Sequence, residues 1–378
     1  MRTITSIFVA VLAIVTAVYL NWIPSQLNIK SYIPQLFSQK HTNNSMSATQ
    51  TQANSTNSFV GLPVIPPNDP SLTKSPEMAI PRAIKKSFLA IEQAEGAGAR
   101  VRRSIGTSKL KNFSPFLMLD HFSIGAGAGF PDHPHRGQET ITYLLSGSVD
   151  HEDFAGNKGT IGPGDLQFMT AGKGIVHAEM PHQNSDGSPN IGMQLWVDLP
   201  KSLKFCEPRY RDLRASEIPK DTSADGKVTI KVISGKTASG VLSQQELSYT
   251  PVWLLDVTIK PGGKLVQPLP AGWNAFAYSL KGQVIFGSGD QRVTVEQYHN
   301  TVFEQQGDTV VAEVDEGADA DAQFILVAGL PLDQAIVQYG PFVLSSADQV
   351  YQALNDYQTH SNGFERAKDW ESDIGKRM

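Results

Sequence analysis

Six of the nine histidines in this 378-residue chain, His121, His133, His135, His151, His177 and His182, fall within a stretch of 62 residues. Two of them, His133 and His135, stand at i and i+2 across a proline, in Asp132-His133-Pro134-His135. Proline steers the residue before it away from helix, and side chains at i and i+2 of an extended chain leave the same face. His177 and Glu179 repeat the spacing 42 residues after His135. Two such pairs on neighbouring strands would bring three imidazoles and one carboxylate to a common interior point. That donor set suits one divalent first-row metal, and a six-coordinate ion would keep two positions for substrate or oxygen. The 2-His-1-carboxylate face within the set makes Fe(II) the first expectation, with Mn, Ni, Cu or Co as alternatives. Glu139 rivals Glu179 as the oxygen ligand, because it follows His135 by four residues and keeps its strand parity. Spacing leaves that choice open. His121, His151 and His182 have no partner at strand spacing and are expected to be ordinary polar residues. Asp120, Gln138, Gln194 and Trp196 are expected mainly as barrel packing, with support of the ligands or the pocket wall as the other role.

Composition narrows the chemistry further. The single cysteine, Cys206, cannot form an intrachain disulfide or a thiolate zinc site, so any metal must rely on histidine and carboxylate. A net charge of -5 leaves no global basic field and argues against direct nucleic-acid binding. With 40% hydrophobic and 18% charged residues, the chain is neither wholly disordered nor a multi-span membrane protein.

The elements that must position these residues are strands. Beyond Arg82, short apolar or alternating runs recur at intervals of about ten residues between Gly, Pro, Asp and Asn, the pattern of antiparallel sandwiches or barrels. Such runs include residues 139–145, 194–197, 253–259, 276–280 and 324–328. A helical pattern stands out only near residues 347–357, where Val350, Leu354 and Tyr357 share a face. A weak internal repeat relates Tyr143-Leu144-Leu145-Ser146-Gly147-Ser148-Val149 to Tyr278-Ser279-Leu280-Lys281-Gly282-Gln283-Val284, each with a later Gly-Asp turn, Gly164-Asp165 and Gly307-Asp308. Two β domains are therefore expected, over residues 81–222 and 223–378, with metal chemistry in the first because the second holds only His299 and His360.

Residues 1–23 carry a different signal. From Ile4 to Ile23, 16 of 20 residues are apolar and none is charged, long enough as a helix to cross a bilayer of about 30 Å. The expectation is a signal anchor, so a protein held at a membrane by residues 4–23, with sidedness left open by Arg2, Lys30 and Lys40. Residues 24–80, rich in Ser, Thr, Asn, Gln and Pro, are expected to be a disordered tether. A start at Met46 would remove the anchor and leave the protein in cytoplasm or nucleus.

The chain resembles a known family. His133, His135, Glu139, Gly147, Pro163-Gly164-Asp165 and His177 meet the cupin signature. More narrowly, it resembles the pirins, which are bicupins, through the run Gly98 to Gly106, Pro131-Asp132-His133-Pro134-His135-Arg136-Gly137, the run Met169 to Pro181 and Asn362-Gly363-Phe364-Glu365-Arg366-Ala367. That resemblance implies an all-β pair of antiparallel barrels with a short C-terminal helix. It also implies one metal, usually iron, held in the N-terminal barrel by His133, His135, His177 and Glu179, and none in the C-terminal barrel. Two kinds of role are implied. One is dioxygenase activity on a flavonol such as quercetin with O2, in which Glu179 would be the catalytic base. The other is a non-enzymatic iron- and redox-sensing co-regulator that binds a protein such as a transcription factor, for which Arg100, Arg102 and Arg103 form the natural patch. A membrane anchor conflicts with a nuclear role, which favours the enzyme. A third reading is a protein in which the metal is only structural.

Overall fold

The computed structural model describes residues 78–243 and 248–377 together with Pro66, Asp69 and Leu72. Along Val149–Asp153 every second side chain is buried, the period-2 signature of a strand with one face in a core. Strands of this kind build two antiparallel barrels, each a seven-stranded sheet with a four-stranded one. In the first barrel the large sheet runs in the order Arg209–Leu213, Leu166–Thr170, Gln138–Ser146, Asn190–Asp198, Phe116–Ile124, Ala99–Ile105, Glu92–Glu95. Its small sheet runs Phe130–His135, Ile175–Pro181, Val149–Asp153, Lys158–Ile161. The second barrel repeats this architecture. Its large sheet is ordered Ile84–Leu89, His299–Phe303, Asn274–Lys281, Ala322–Gly329, Val252–Ile259, Val228–Ser234, Lys220–Thr222, and its small one Lys264–Pro268, Thr309–Glu313, Val284–Phe286, Val293–Val295.

The repeated Ser-Gly and Lys-Gly steps occupy matching turns. Gly147 and Gly282 both hold left-handed φ, at 84° and 69°, where a side chain would be strained. The barrels exchange elements. The strand Ile84–Leu89, although it is the first among the described residues, pairs with His299–Phe303 of the second barrel. The helix Ala347–Thr359, although it follows the second barrel, packs its Val350 and Ala353 with Met169, Ala171, Ile175 and Val176 of the first. Ser346 caps that helix by accepting from the Gln349 N–H, and His360, left-handed at φ 52°, ends it.

The second barrel is filled by an apolar core that includes Trp253, Phe286, Phe303 and Phe324. Another core spans both barrels, with Phe116 edge-on to Phe276 at 5.1 Å and with Tyr143, Leu254, Tyr278 and Ile325 around them. Beside it the Tyr143 hydroxyl donates to the buried Asp256 carboxylate at 2.7 Å.

The expected membrane anchor requires correction. Residues 4–23, to which it was assigned, lie outside the described residues. Among the described residues no helix is long and apolar enough to cross a membrane. The single α-helix described has 13 residues, about 20 Å of length, against the roughly 30 Å a span requires. The membrane-anchored localisation is therefore not supported. Within the stretch expected as a tether, Asp69 accepts from the Ala271 N–H, Leu72 packs on the second barrel's core and the Ile80 N–H donates to Asp308.

Candidate metal centre

Three imidazoles meet between the sheets of the first barrel. Strands Phe130–His135 and Ile175–Pro181 pair antiparallel with His177 opposite His133, and His135 lies two residues on, on the same face. The ring centroids are 4.4 Å apart for His133 and His177, 4.9 Å for His133 and His135, and 5.0 Å for His135 and His177. One nitrogen from each ring lies within 4.8 Å of the others.

Each ring is oriented from behind. Nδ1 of His133 is 2.8 Å from the Pro131 carbonyl oxygen, Nδ1 of His135 is 2.9 Å from the Gln138 side-chain amide, and Nδ1 of His177 is 2.7 Å from the Tyr210 hydroxyl. Nε2 of His135 and Nε2 of His177 are buried and have no hydrogen-bond partner. Burial holds the pKa of His135 and His177 well below the ordinary histidine value, and their neighbouring imidazoles push the same way. His133 is lowered too, by burial, with the Glu179 charge opposing. Neutral imidazoles that converge in this way are ligand-competent, and a divalent cation would satisfy the two orphaned nitrogens. The residues therefore fit a metal.

Glu179 stands beside this group but outside it. A register shift separates it from His177, and its Oε1 accepts from the Thr142 hydroxyl at 2.9 Å. The Gln194 side-chain amide lies 2.5 Å from the same hydroxyl. The Glu139 carboxylate is engaged elsewhere, accepting from the Thr170 and Ser248 hydroxyls at 2.9 and 2.5 Å and from the N–H groups of Tyr249 and Thr250. It thereby ties to the first barrel the segment that leads into the strand Val252–Ile259 of the second. Trp196 sets its indole edge-on to His135 at 5.1 Å, and its buried Nε1 has no partner.

The other histidines stand apart from the group. His121 lies at the junction of the barrels, 3.3 Å from the Tyr278 hydroxyl, and burial lowers its pKa to about 4. His182 pairs with Asp150. His151 pairs with Asp212 at 3.1 Å and stacks flat on the Tyr210 ring, so it supports His177 through Tyr210. Tyr210 and Thr142 have no counterpart among the sequence expectations, because neither lies at a spacing that links it to a histidine. Burial pushes the Cys206 thiol up to about 11, which keeps it protonated and poorly nucleophilic at neutral pH. Arg100 and Arg102 bind Glu92, and Arg103 makes a two-pronged bond to Asp120 and reaches Glu95.

Two antiparallel barrels in one chain, with a histidine cluster inside the first and an apolar core inside the second, define a bicupin. The chain belongs to the pirin family: the family profile Pirin matches residues 98–197, and Pirin C-terminal cupin domain matches residues 254–363. Human Pirin is 48% identical over 299 residues, covering 79% of this chain and 100% of that relative. A Pirin-like protein of Solanum lycopersicum is 45% identical, covering 77% of this chain and 97% of its own length. Among solved structures, a quercetin 2,3-dioxygenase from Acinetobacter baumannii is 27% identical with a TM-score of 0.67, covering 74% of this chain and 98% of that one. The bacterial pirin YhhW from Escherichia coli, in complex with nickel(II), shares the fold at 21% identity and a TM-score of 0.50, covering 65% of this chain and 100% of its own.

Proposed function

We propose that this chain holds one divalent metal, Fe(II) in the first instance, through His133, His135, His177 and Glu179, and is a dioxygenase that opens a flavonol-like substrate with O2. The observation that carries this reading is the pair of buried, unpartnered Nε2 atoms on His135 and His177 beside a third imidazole. The likeness to a quercetin 2,3-dioxygenase supports the substrate class.

When bound, the ion supplies Lewis acidity and a one-electron couple for the reaction of an electron-rich substrate with O2. The protein supplies position, burial and a base. Pro131, Gln138 and Tyr210 hold the three rings so that they need not reorganise as the site fills. Glu179, held by Thr142, would complete the ligand set as its oxygen donor, and its carboxylate would be the base for the flavonol 3-hydroxyl proton. The Trp196 indole, against His135, forms an aromatic wall for a flat substrate.

The test is oxygen uptake by the full chain reconstituted anaerobically with Fe(II) and mixed with quercetin, beside His135→Ala. Substrate-dependent uptake in the parent and none in the variant is expected. A parent that binds one metal per chain yet consumes no oxygen would refute the dioxygenase. The co-regulator reading gains no specific observation, because Arg100, Arg102 and Arg103 already face Glu92, Glu95 and Asp120.

A further inference from the structure

The two strands that carry the histidines are gripped from outside by chain that follows the second barrel. At the end of the first ligand strand, the Arg136 N–H donates to the Pro341 carbonyl and the Val343 N–H donates to the Arg136 carbonyl, at 3.3 and 3.0 Å. The Arg136 side chain is 1% exposed, and every arm of its guanidinium is used. Nε donates to the Lys173 carbonyl, Nη1 to Asp356 on the helix Ala347–Thr359 at 2.7 Å, and Nη2 to the Asn362 carbonyl at 2.6 Å. Asp356 is itself fixed by the side-chain amides of Gln352 and Asn362. The approach at Gly137 is so close that a Cβ there would lie 2.1 Å from the Val343 carbonyl oxygen.

Three residues before His135, Asp132 accepts from the Ser372 N–H at 3.1 Å. The second ligand strand is held in the same way, with Phe364 against Gly174 just before it and Ile374 packed on Ala178 and Met180 either side of Glu179. The C-terminal segment thus touches both strands on both sides of their ligands.

We propose that residues 341–375 form a clamp that positions His133, His135 and His177, so that docking of this segment and metal binding favour each other. Arg136, Asp356 and Asp132 are its positioning residues. The inference rests on metal binding at the three histidines and is independent of the reaction. Coupling must be reciprocal: if the docked segment raises metal affinity, bound metal must raise protection of the segment by the same free energy.

Co(II) serves as the probe, in the full chain. Asp356→Asn leaves the buried Arg136 guanidinium without its counter-charge, and Asp132→Asn weakens the acceptor for Ser372. In competition with a chromophoric chelator, Asp356→Asn is expected to lower Co(II) affinity about tenfold, the scale of losses when support behind a ligand is removed. The d–d absorption of bound Co(II) is expected to shift, which a loss of global stability alone would not produce. In the parent, hydrogen exchange across residues 347–359 is expected to slow when Co(II) binds. Unchanged affinity and spectrum in both variants, or helix exchange identical with and without Co(II), would overturn the clamp. Should the variants fail to fold, the exchange comparison in the parent decides alone. A parent that takes up no Co(II) would overturn both the clamp and the metal reading, whereas loss of turnover with Co(II) uptake intact bears only on the reaction.

Discussion

Two imidazole nitrogens buried without a partner, converging with a third ring, form a place where a cation would offset the cost of unmet polar groups, about 1–3 kcal/mol each. At this scale the residues behind the rings matter as much as the rings. Tyr210→Phe removes the hydroxyl 2.7 Å from Nδ1 of His177, and Fe(II) or Co(II) affinity should fall about tenfold while far-ultraviolet circular dichroism is retained; an unchanged affinity would show that Tyr210 does not orient the ring. Glu179→Gln keeps the shape beside Thr142 but removes the proton acceptor. Turnover of quercetin should drop about 10²–10⁴-fold while some metal is retained, measured as oxygen uptake beside metal content on the same sample. Full turnover in that variant would remove Glu179 from the mechanism. Spacing suffices to associate His133 with His135, because the i and i+2 relation is geometric wherever the chain is extended. It cannot separate Glu139 from Glu179, which share strand parity, and only the folded chain sends the Glu139 carboxylate to Ser248, Tyr249 and Thr250.

Among elements, the helix Ala347–Thr359 is the most legible in the sequence, because Val350, Leu354 and Tyr357 recur at helical spacing. Its partner could not be foreseen, since an apolar stripe says that a face is covered and not by what. It covers the first barrel through Val350 and Ala353 and is pinned there by Asp356 on Arg136. Burial pushes the Asp356 carboxyl upward, and hydrogen bonds from Arg136, Asn362 and Gln352 outweigh this, so its folded pKa lies below the ordinary value. A depressed carboxylate pKa contributes stability that is complete above the unfolded value and is lost as pH falls through the folded one. Denaturant midpoints of the parent should therefore decline more steeply than those of Asp356→Asn as pH drops below the ordinary carboxylate range. Parallel declines would mean that this ion pair adds nothing to acid stability.

For the whole molecule, the core shared by Phe116, Tyr143, Phe276 and Tyr278 and the exchange of Ile84–Leu89 for the C-terminal helix bind the barrels into one cooperative body. The metal-free chain should unfold in one transition by calorimetry. Phe276→Ala, at the centre of the shared core, should lower its stability by about 3–5 kcal/mol without splitting it. Two resolved transitions in the parent would refute the single body. By itself the sequence determines the antiparallel β class, the two-fold repeat, the helix and the pairing of His133 with His135, because each follows from local periodicity, turn chemistry or a short motif. Tertiary structure alone decides that the first strand joins the second barrel, that the last helix grips the first, that Tyr210 backs His177 and that Glu139 serves the junction. The reason is physical: those outcomes depend on contacts between residues more than 30 positions apart, and nothing in local spacing specifies which buried faces will meet.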